Sequence, residues 1–255
     1  MSILDITWLN PDHSSSFPDP ESALDDPEGL VAAGGDLSVT RILNAYHNGI
    51  FPWYQDDQPI LWWSPNPRGV LYPKHYIAHK SVLRGLRRNG WQITIDQSFS
   101  QVIAACAQPR SYSKSTWITA DMHDAYCQLH DLGHAHSIEV WSPDKQLVGG
   151  IYGLSVGQIF AGESMFSGAS DGSKIALLYL CAYLDTWNYT LLDTQIPSQH
   201  LNSLGGTSLS RKQYLDHLAS AKTQSIHADA WSTTFEIDIH AWLAGKKLIH
   251  IRQDC

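Results

Sequence analysis

The hydrophobic pattern of the chain changes at about residue 67. Before that point the sequence is rich in Pro, Gly and Trp, shows weak periodicity and is dominated by turn residues. One short helix is predicted there, from Ser38 to about His47, because an N-cap candidate precedes apolar residues at helical spacing and Gly49 follows them. Strand and helix patterns alternate afterwards. We therefore predict a small N-terminal domain over 1–67 and a larger domain over 68–255.

The pattern of the larger domain indicates an α+β fold. A strand and two helices come first, in GWQITIDQSF, FSQVIAACAQ and TADMHDAYCQLHDLG, followed by three strands joined by turns. A helix that opens with small capping residues and a buried strand, YTLLDTQI, come next. This order predicts helices packed on a mostly antiparallel sheet, which is the layout of the acetyltransferase-like (GNAT) fold. The tail after about residue 215 is left unassigned.

A coenzyme A site is not expected in this layout. Acyl-CoA enzymes of the GNAT class hold the pyrophosphate on a Gly-rich loop at a helix N-terminus. The corresponding turn, FSGASDGSK at 166–174, has two glycines at a different spacing and no basic residue before them. We therefore expect a different acyl donor.

Composition is that of a folded protein of the cytoplasm. The 255 residues are 43% hydrophobic, which suffices for a packed core. The four cysteines are scattered without a C-x-x-C pair, so a reduced environment is expected. The first residues lack a signal-peptide pattern, and the longest apolar run, 175–184, is too short to span a bilayer. We expect neither secretion nor a membrane-spanning segment.

A formal net charge of -8 disfavours a nucleic-acid partner on average, but one basic stripe stands out. Four cations fall on one face of a predicted helix at i, i+4, i+7 and i+8: Lys80, Arg84, Arg87 and Arg88. Such a stripe is commonly the solvated face of an amphipathic helix. The second interpretation is a binding surface for an anionic polymer, because four of only 17 Lys and Arg residues are concentrated on this short stripe.

A carboxylate and a carboxamide end the buried strand LLDTQ. Asp193 and Gln195 are two positions apart, so on a regular strand their side chains point to one face and can form a hydrogen-bonded pair. Two interpretations stay open on the pattern alone. The pair is either a reactive site or the polar end of a strand that caps the next turn.

Two further functions remain as alternatives. The segment HDLGHAHSIE offers a candidate cluster for a cupin-like metal enzyme: His130, His134, His136 and Glu139. A cupin needs a further His in a later strand motif, which is missing, and Gly133 ends a helix inside the cluster, so we expect no metal site. The second alternative is a non-catalytic RNA-binding module that uses the basic stripe and tryptophans.

Several motifs together resemble one family, the leucyl/phenylalanyl-tRNA–protein transferases. They are GLVAAGGDLS, AYHNGIFPWY, ILWWSPNPRGVLYP, TWIT, LHDLGHAHSIEVW, LVGGIYGLSVGQIFAGESMFS and LLDTQ with HLNSLGG, and they cover roughly residues 15–215. The resemblance implies an aminoacyl-tRNA donor of Leu or Phe and an acceptor protein that begins with Arg or Lys. It implies a GNAT-like catalytic domain, a product marked for N-degron degradation, and no metal or organic cofactor. We expect a cytoplasmic monomer.

The resemblance also assigns roles to residues. Asp193 and Gln195 match the catalytic positions, where the carboxylate orients and polarises the carboxamide and the carboxamide oxygen accepts a hydrogen bond from the attacking amine. An alternative, in which the tRNA ribose assists its own proton transfer, stays open. Trp53 and Trp117 match positions that embrace the terminal adenosine, and Glu163 matches a position near the ribose and base.

A side-chain pocket for the transferred amino acid is implied in the same way. Its matching positions are Ile151, Phe160, Leu177 and Leu184. Such a pocket discriminates by shape, so we expect it to take Leu, Phe and weakly Met, and to exclude the Cβ-branched Ile and Val. Some relatives carry Met at position 151 and aromatic residues near 180 and 184, which leaves the ratio of Leu to Phe transfer open.

Overall fold

The N-terminal part of the chain forms a four-stranded sheet and one helix. The computed structural model describes residues 6–12, 16–88, 90–108 and 118–251, without the side chains of 88 and 246–251. The sheet order is β1-β2-β4-β3, in which β1 and β2 are parallel. The elements are β1 Thr7–Leu9, β2 Leu30–Gly34, α1 Val39–His47, β3 Phe51–Pro52 and β4 Leu61–Trp63.

The predicted helix is confirmed as α1, whereas the small sheet was not predicted. The Ser38 side chain caps α1 by accepting the Arg41 backbone N–H. The strands of the sheet are two to five residues long. Such strands are too short to show a two-residue alternation against a Pro- and Gly-rich background.

The larger sheet has seven strands in the order β11-β5-β10-β9-β8-β7-β6. All neighbouring strands are antiparallel except β9 and β10, which are parallel. The predicted α+β class, the mostly antiparallel sheet and the three-strand meander are therefore confirmed. The strands are β5 Arg68–Leu71, β6 Gln92–Ile95, β7 Ala135–Trp141, β8 Leu147–Val156, β9 Ile159–Ser167, β10 Leu191–Gln195 and β11 Thr207–Leu209.

Two hydrophobic cores lie against opposite faces of this sheet. The first core contains residues of α1, α3 and α4 and joins the small sheet to the large one. The second core contains the buried face of α5. Helix α5 approaches β8 closely, since a Cβ on Gly149 would lie 2.5 Å from the backbone of Gly172. The helices are α2 Lys80–Arg88, α3 Phe99–Cys106, α4 Ala120–Asp131, α5 Gly172–Thr186, α6 Gln199–Ser203, α7 Arg211–Ala221 and α8 Ile239–Ile251.

The C-terminal tail, for which the sequence predicts no role, packs against the α5 side of the sheet. The Trp231 ring stacks on His136 with centroids 4.2 Å apart, and its indole N–H donates to the Tyr189 hydroxyl at 2.8 Å. The Trp242 indole N–H donates to the Asp185 carboxylate at 2.8 Å. The tail therefore covers the second core. Over the described ranges, no helix has the length and apolar character that crossing a membrane requires.

Candidate active site

The carboxylate of Asp193 lies at the centre of a buried hydrogen-bond network. The Arg68 guanidinium donates to both of its oxygens, through Nε at 2.8 Å and Nη2 at 2.7 Å. The Tyr214 hydroxyl donates to Oδ2 at 2.8 Å. The Arg68 and Asp193 side chains are 1% and 0% exposed. The negative charge of Asp193 is thus compensated by a buried cation rather than by water.

Gln195 departs from strand geometry. Its φ is +62°, in the left-handed region that residues other than glycine seldom adopt, and the register of β10 against β5 shifts between Asp193 and Gln195. The Asp193 carboxylate accepts the Gln195 backbone N–H at 2.8 Å and holds this turn. Gly69 faces the turn across the ladder, and a Cβ there would lie 2.8 Å from the carbonyl carbon of Ile196.

The predicted contact between the two side chains takes a different form. Asp193 binds the backbone of Gln195, while the Gln195 side-chain Nε2 donates to Glu163 Oε1 at 2.8 Å. The register of β10 shifts between the two residues, but both side chains lie on the side of the sheet that bears the first core. Asp193 binds Tyr214 of that core, and Gln195 binds Glu163, which accepts hydrogen bonds from Tyr46 and Tyr126 of the same core. Asp193 therefore positions Gln195 through its main chain, and Glu163 orients the carboxamide.

Glu163 is the additional residue of a bulge in β9. Opposite it, β8 pairs Tyr152 with Ser164 and then Gly153 with Gly162. The Glu163 carboxylate accepts the Tyr46 hydroxyl at 2.6 Å and the Tyr126 hydroxyl at 3.1 Å, besides the Gln195 amide.

The electrostatic setting of Glu163 differs from that of Asp193. Burial raises the pKa of Glu163 to about 7, the hydrogen bonds from Tyr46, Tyr126 and Gln195 oppose this rise, and the Asp193 charge adds to it. Burial also raises the pKa of both tyrosines, next to the same carboxylate. Glu163 is therefore a group that changes its protonation near neutral pH.

Sequence patterns do not predict four residues of this network: Arg68, Tyr214, Tyr46 and Tyr126. They come from β5, α7, α1 and α4, so no local spacing connects them. One signal was available for Arg68. It begins the otherwise apolar segment RGVLY, and a charge at the start of a buried strand needs a buried partner.

The structure places Trp53 after β3 with 42% of its surface exposed. Its ring makes an edge contact with Trp63, whose indole N–H donates to the Trp53 carbonyl at 2.7 Å. The adjacent Tyr54 hydroxyl is 3.4 Å from the Thr119 Oγ1 atom, at the start of α4. Trp117 lies outside the described residues. An exposed indole at Trp53 is suited to stacking on a base.

The four residues predicted to form a side-chain pocket are brought together, but not on the face that bears Glu163. All belong to the second core, between the sheet and α5: Ile151, Phe160, Leu177 and Leu184. Each is at most 5% exposed. A ligand that enters from the Glu163 side must therefore pass through the sheet between strands to reach them.

The basic stripe lies on α2, as predicted. Lys80, Arg84 and Arg87 are exposed, whereas Val82 is buried; the side chain of Arg88 lies outside the described residues. The segment that leads into α2 is joined to the one that follows Gln195. The Ile77 N–H donates to the Leu204 carbonyl at 2.9 Å. The stripe is therefore a solvent-facing cationic surface connected to the end of β10.

The histidine-rich segment has other contacts. His136 Nδ1 is 2.7 Å from Asp96 Oδ2, His130 Nδ1 is 2.8 Å from the Ala135 carbonyl, and Glu139 bonds the Ser137 hydroxyl at 2.5 Å. In the part of the chain that the structure describes, no three His, Cys, Asp or Glu residues are grouped so that they could hold a metal ion. The cupin-like alternative is not favoured.

A solved structure is similar to this chain only at a distance. The structure of L-PGS from Bacillus licheniformis aligns with 86% of this chain and 72% of that one, at 10% identity and a TM-score of 0.36. A TM-score this low carries no argument.

Comparisons of sequence are far closer. A family model described as leucyl/phenylalanyl-tRNA protein transferase matches residues 70–219, and one described as the N-terminal domain of that transferase matches 35–66. The leucyl/phenylalanyl-tRNA–protein transferase of Pseudomonas syringae pv. syringae (strain B728a) is 51% identical over 89% of this chain and 98% of its own length. The one of Shewanella woodyi (strain ATCC 51908 / MS32) is 48% identical over 89% of this chain and 95% of its own length. The chain belongs to the leucyl/phenylalanyl-tRNA–protein transferase family, a family of aminoacyltransferases.

Proposed function

We propose that this chain transfers Leu or Phe, and weakly Met, from aminoacyl-tRNA to an acceptor protein that begins with Arg or Lys. The product carries a new peptide bond and is marked for N-degron degradation. Family membership supports the reaction class. The observation that carries the assignment to this site is the fixed carboxamide of Gln195, whose NH₂ group donates to Glu163 and whose oxygen has no hydrogen-bond donor among the described residues.

The chemistry needs positioning more than activation, because an aminoacyl ester is already reactive. The acceptor nitrogen attacks the ester carbonyl, a C–N bond forms, and the bond to the ribose 3′ oxygen breaks. The amine must lose a proton and the departing oxygen must gain one. Gln195 Oε1 accepts a hydrogen bond from the acceptor amine. This hydrogen bond orients the lone pair of the amine nitrogen toward the ester carbonyl carbon. The neighbouring ribose hydroxyl is an alternative route for the proton.

The donor adenosine is assigned to the end of β3. Trp53 and Trp117 would embrace the base, each by stacking. The exposure of Trp53 supports this role, as does the contact between Tyr54 and Thr119, since these residues are neighbours of the two tryptophan positions. Glu163 would border the ribose while it orients Gln195.

The transferred side chain is assigned to the second core. The assignment is supported by chemistry, since Ile151, Phe160, Leu177 and Leu184 are all apolar members of this one buried cluster, which suits Leu and Phe. For the tRNA itself we propose the cationic surface of α2, formed by Lys80, Arg84, Arg87 and Arg88.

The domain division and the finer fold class are part of the same proposal. We place a small domain at 1–67 and a GNAT-like catalytic domain at 68–255. The change from the four-stranded to the seven-stranded sheet between Trp63 and Arg68 supports the division. A cytoplasmic monomer without cofactor fits a reaction whose two substrates supply all reacting groups.

The test is transfer of leucine in a purified system. The protein is mixed with leucyl-tRNA and a peptide that begins with Arg, with and without EDTA, and Leu is followed at the peptide N-terminus. We expect transfer in both cases, and none to the same peptide acetylated at its N-terminus. No transfer by the wild-type chain would refute the proposal, and loss only with EDTA would favour a metal enzyme. Binding of tRNA without transfer would favour the RNA-binding module.

A further inference from the structure

Arg68 connects two parts of the proposed site. Its Nε and Nη2 atoms bind the Asp193 carboxylate, and its remaining terminal nitrogen, Nη1, donates to the Gly49 carbonyl at 3.0 Å. The guanidinium lies between two rings, 4.9 Å from the Phe51 centroid and 4.4 Å from the Tyr214 centroid. One buried side chain therefore contacts the segment after α1, strand β10 and helix α7.

The Gly49 contact fixes the start of the donor segment. Residues 49–53 run from Gly49 through β3 to Trp53, the residue assigned to the donor adenine. Across the guanidinium, Asp193 holds the Gln195 backbone N–H in its left-handed turn. Because Arg68 is 1% exposed and bound on both sides, it sets the separation between the two segments without help from water.

We propose that Arg68 is a positioning residue for the transfer reaction, which aligns the donor segment at Trp53 with the carboxamide of Gln195, and that Tyr214 completes its hold on Asp193. This inference rests on the proposed function. Arg68 touches neither substrate. It acts through the Asp193 carboxylate on one side and the Gly49 carbonyl on the other.

The contacts at position 68 require the planar guanidinium group of an arginine. An arginine presents donors in a fixed plane, so it binds both carboxylate oxygens and a carbonyl at once. A lysine keeps the charge but has a single nitrogen on a flexible stem, and it cannot span three acceptors with this geometry. Arg68→Lys should therefore preserve the ion pair and lose the alignment.

The chain offers a matched control in Arg41. It is also a buried arginine paired with an aspartate, with Nε 2.9 Å from Asp36 Oδ2 and Nη2 donating to the Asn10 carbonyl at 2.7 Å. It lies in α1 and has no hydrogen bond or ion pair to Asp193, Gln195 or Glu163. Arg41→Lys therefore also replaces a buried guanidinium group by an ammonium group, but at a position away from the reacting groups.

The experiment compares Arg68→Lys, Tyr214→Phe and Arg41→Lys with the wild type. Folded fraction is measured by circular dichroism, and kcat and KM are measured for leucyl-tRNA and for an Arg-initial peptide. We expect Arg68→Lys to lower kcat by about tenfold to a hundredfold with both KM values within about threefold of the wild type. We expect Tyr214→Phe to lower kcat by about threefold to tenfold, and Arg41→Lys to change kcat by less than about twofold.

The outcomes separate the inference from the proposed function. If Arg68→Lys and Arg41→Lys have equal kcat, or if Arg68→Lys raises both KM values as much as it lowers kcat, the positioning role is wrong. If Arg68→Lys does not fold, Tyr214→Phe decides, since it removes one hydroxyl and keeps the ring; a wild-type kcat would then overturn the inference. A wild-type chain that transfers no leucine would instead count against the proposed function.

Discussion

Two carboxylates contact Gln195, and their electrostatic surroundings are opposite. Asp193, two residues before Gln195 on β10, is fully buried, whereas Glu163, on the neighbouring strand β9, is half-buried. Asp193 is bound by a guanidinium, a tyrosine hydroxyl and a backbone N–H. Glu163 is bound by two tyrosine hydroxyls and a carboxamide, and among the described residues it has no cation as a partner.

The difference assigns different tasks to the two groups. A carboxylate bound by both donors of a buried arginine is fixed in place, so Asp193 is suited to holding a backbone turn. A carboxylate that lacks a cation as partner has its pKa raised by burial, to about 7 for Glu163, so its hold on the Gln195 carboxamide depends on pH. Gln195 lies between them, with its backbone on one and its side chain on the other.

The largest effect is expected from Asp193→Asn, which leaves the Arg68 guanidinium buried without its counter-charge. We expect the free energy of unfolding to fall by about 3–5 kcal/mol. We expect kcat to fall by about a hundredfold, while the dissociation constant for leucyl-tRNA changes by less than about threefold.

Asp36→Asn is the matched control for this substitution, because it removes the charge of a carboxylate that binds a buried arginine, Arg41, outside the site. Urea unfolding, filter binding of leucyl-tRNA and single-turnover transfer give the three quantities. A loss of tRNA affinity equal to the loss of turnover would show that Asp193 is structural. The two carboxylates would then differ less than their contacts indicate.

The next effect is expected from Glu163→Gln, in its dependence on pH. The ionised carboxylate accepts all three of its hydrogen bonds, whereas the protonated form must use one oxygen as a donor. Wild-type kcat should therefore rise as the pH rises through about 7, the pKa to which burial raises this group. We expect the variant to lose this inflection and to lower kcat at pH 8 by about tenfold.

The ratio of variant to wild-type kcat is the quantity to follow, since titration of the acceptor amine is common to both. Glu139→Gln is the control, because burial also raises the pKa of Glu139, which bonds Ser137 and Thr94 away from Gln195. If Glu163→Gln keeps the wild-type inflection, ionisation of Glu163 does not control the orientation of Gln195.

The same pKa predicts a stability effect of known sign. A carboxyl whose pKa is raised on folding stabilises the folded state fully at pH values below its usual 4.5, and this stabilisation is lost as the pH rises to about 7. Over that interval the wild type should lose more free energy of unfolding than Glu163→Gln does. Urea unfolding at about pH 4.5 and about pH 7.5 checks this, and equal losses would contradict it.

Part of the seven-stranded sheet and its helices could be predicted from sequence because several of these elements are long. Helix α5 and strands β7 to β9 span seven to fifteen residues, enough for their periods to emerge. The small sheet could not be predicted, since its strands are too short and β1 pairs with a strand that is distant in sequence, Thr7 with Ala32. Short strands are specified by what they pack against.

The site was predictable only where local sequence carries it. Asp193 and Gln195 could be proposed because they are neighbours, but their geometry depends on a left-handed turn that the strand period conceals. Arg68 and Tyr214 are brought to Asp193 from positions 125 and 21 residues away. Contacts of this kind depend on the whole fold, and no pattern within one element indicates them.

A smaller effect is expected from Trp53→Ala, and it should appear in KM for leucyl-tRNA rather than in kcat. Loss of one stacking partner costs about 1–3 kcal/mol per base, so KM for leucyl-tRNA should rise by about fivefold to a hundredfold. Saturating kcat should change little, because neither carboxylate is touched. Trp8→Ala removes another exposed indole, at 63% exposure in β1, and should leave KM unchanged. A fall in kcat without a rise in KM would remove Trp53 from the donor site.

The smallest effect is expected from Arg84→Ala on the exposed face of α2. Loss of one phosphate contact should raise the dissociation constant for leucyl-tRNA by about threefold and lower the slope of log affinity against log salt by about one. Lys212→Ala, which removes an exposed cation of α7 at 73% exposure, should leave the slope unchanged. An unchanged slope in Arg84→Ala would refute the assignment of α2 to tRNA. If the α2 surface contacts only the tRNA backbone, as we propose, the kcat of the saturated enzyme should stay constant in Arg84→Ala, whereas substitutions of the two carboxylates and their partners should lower kcat.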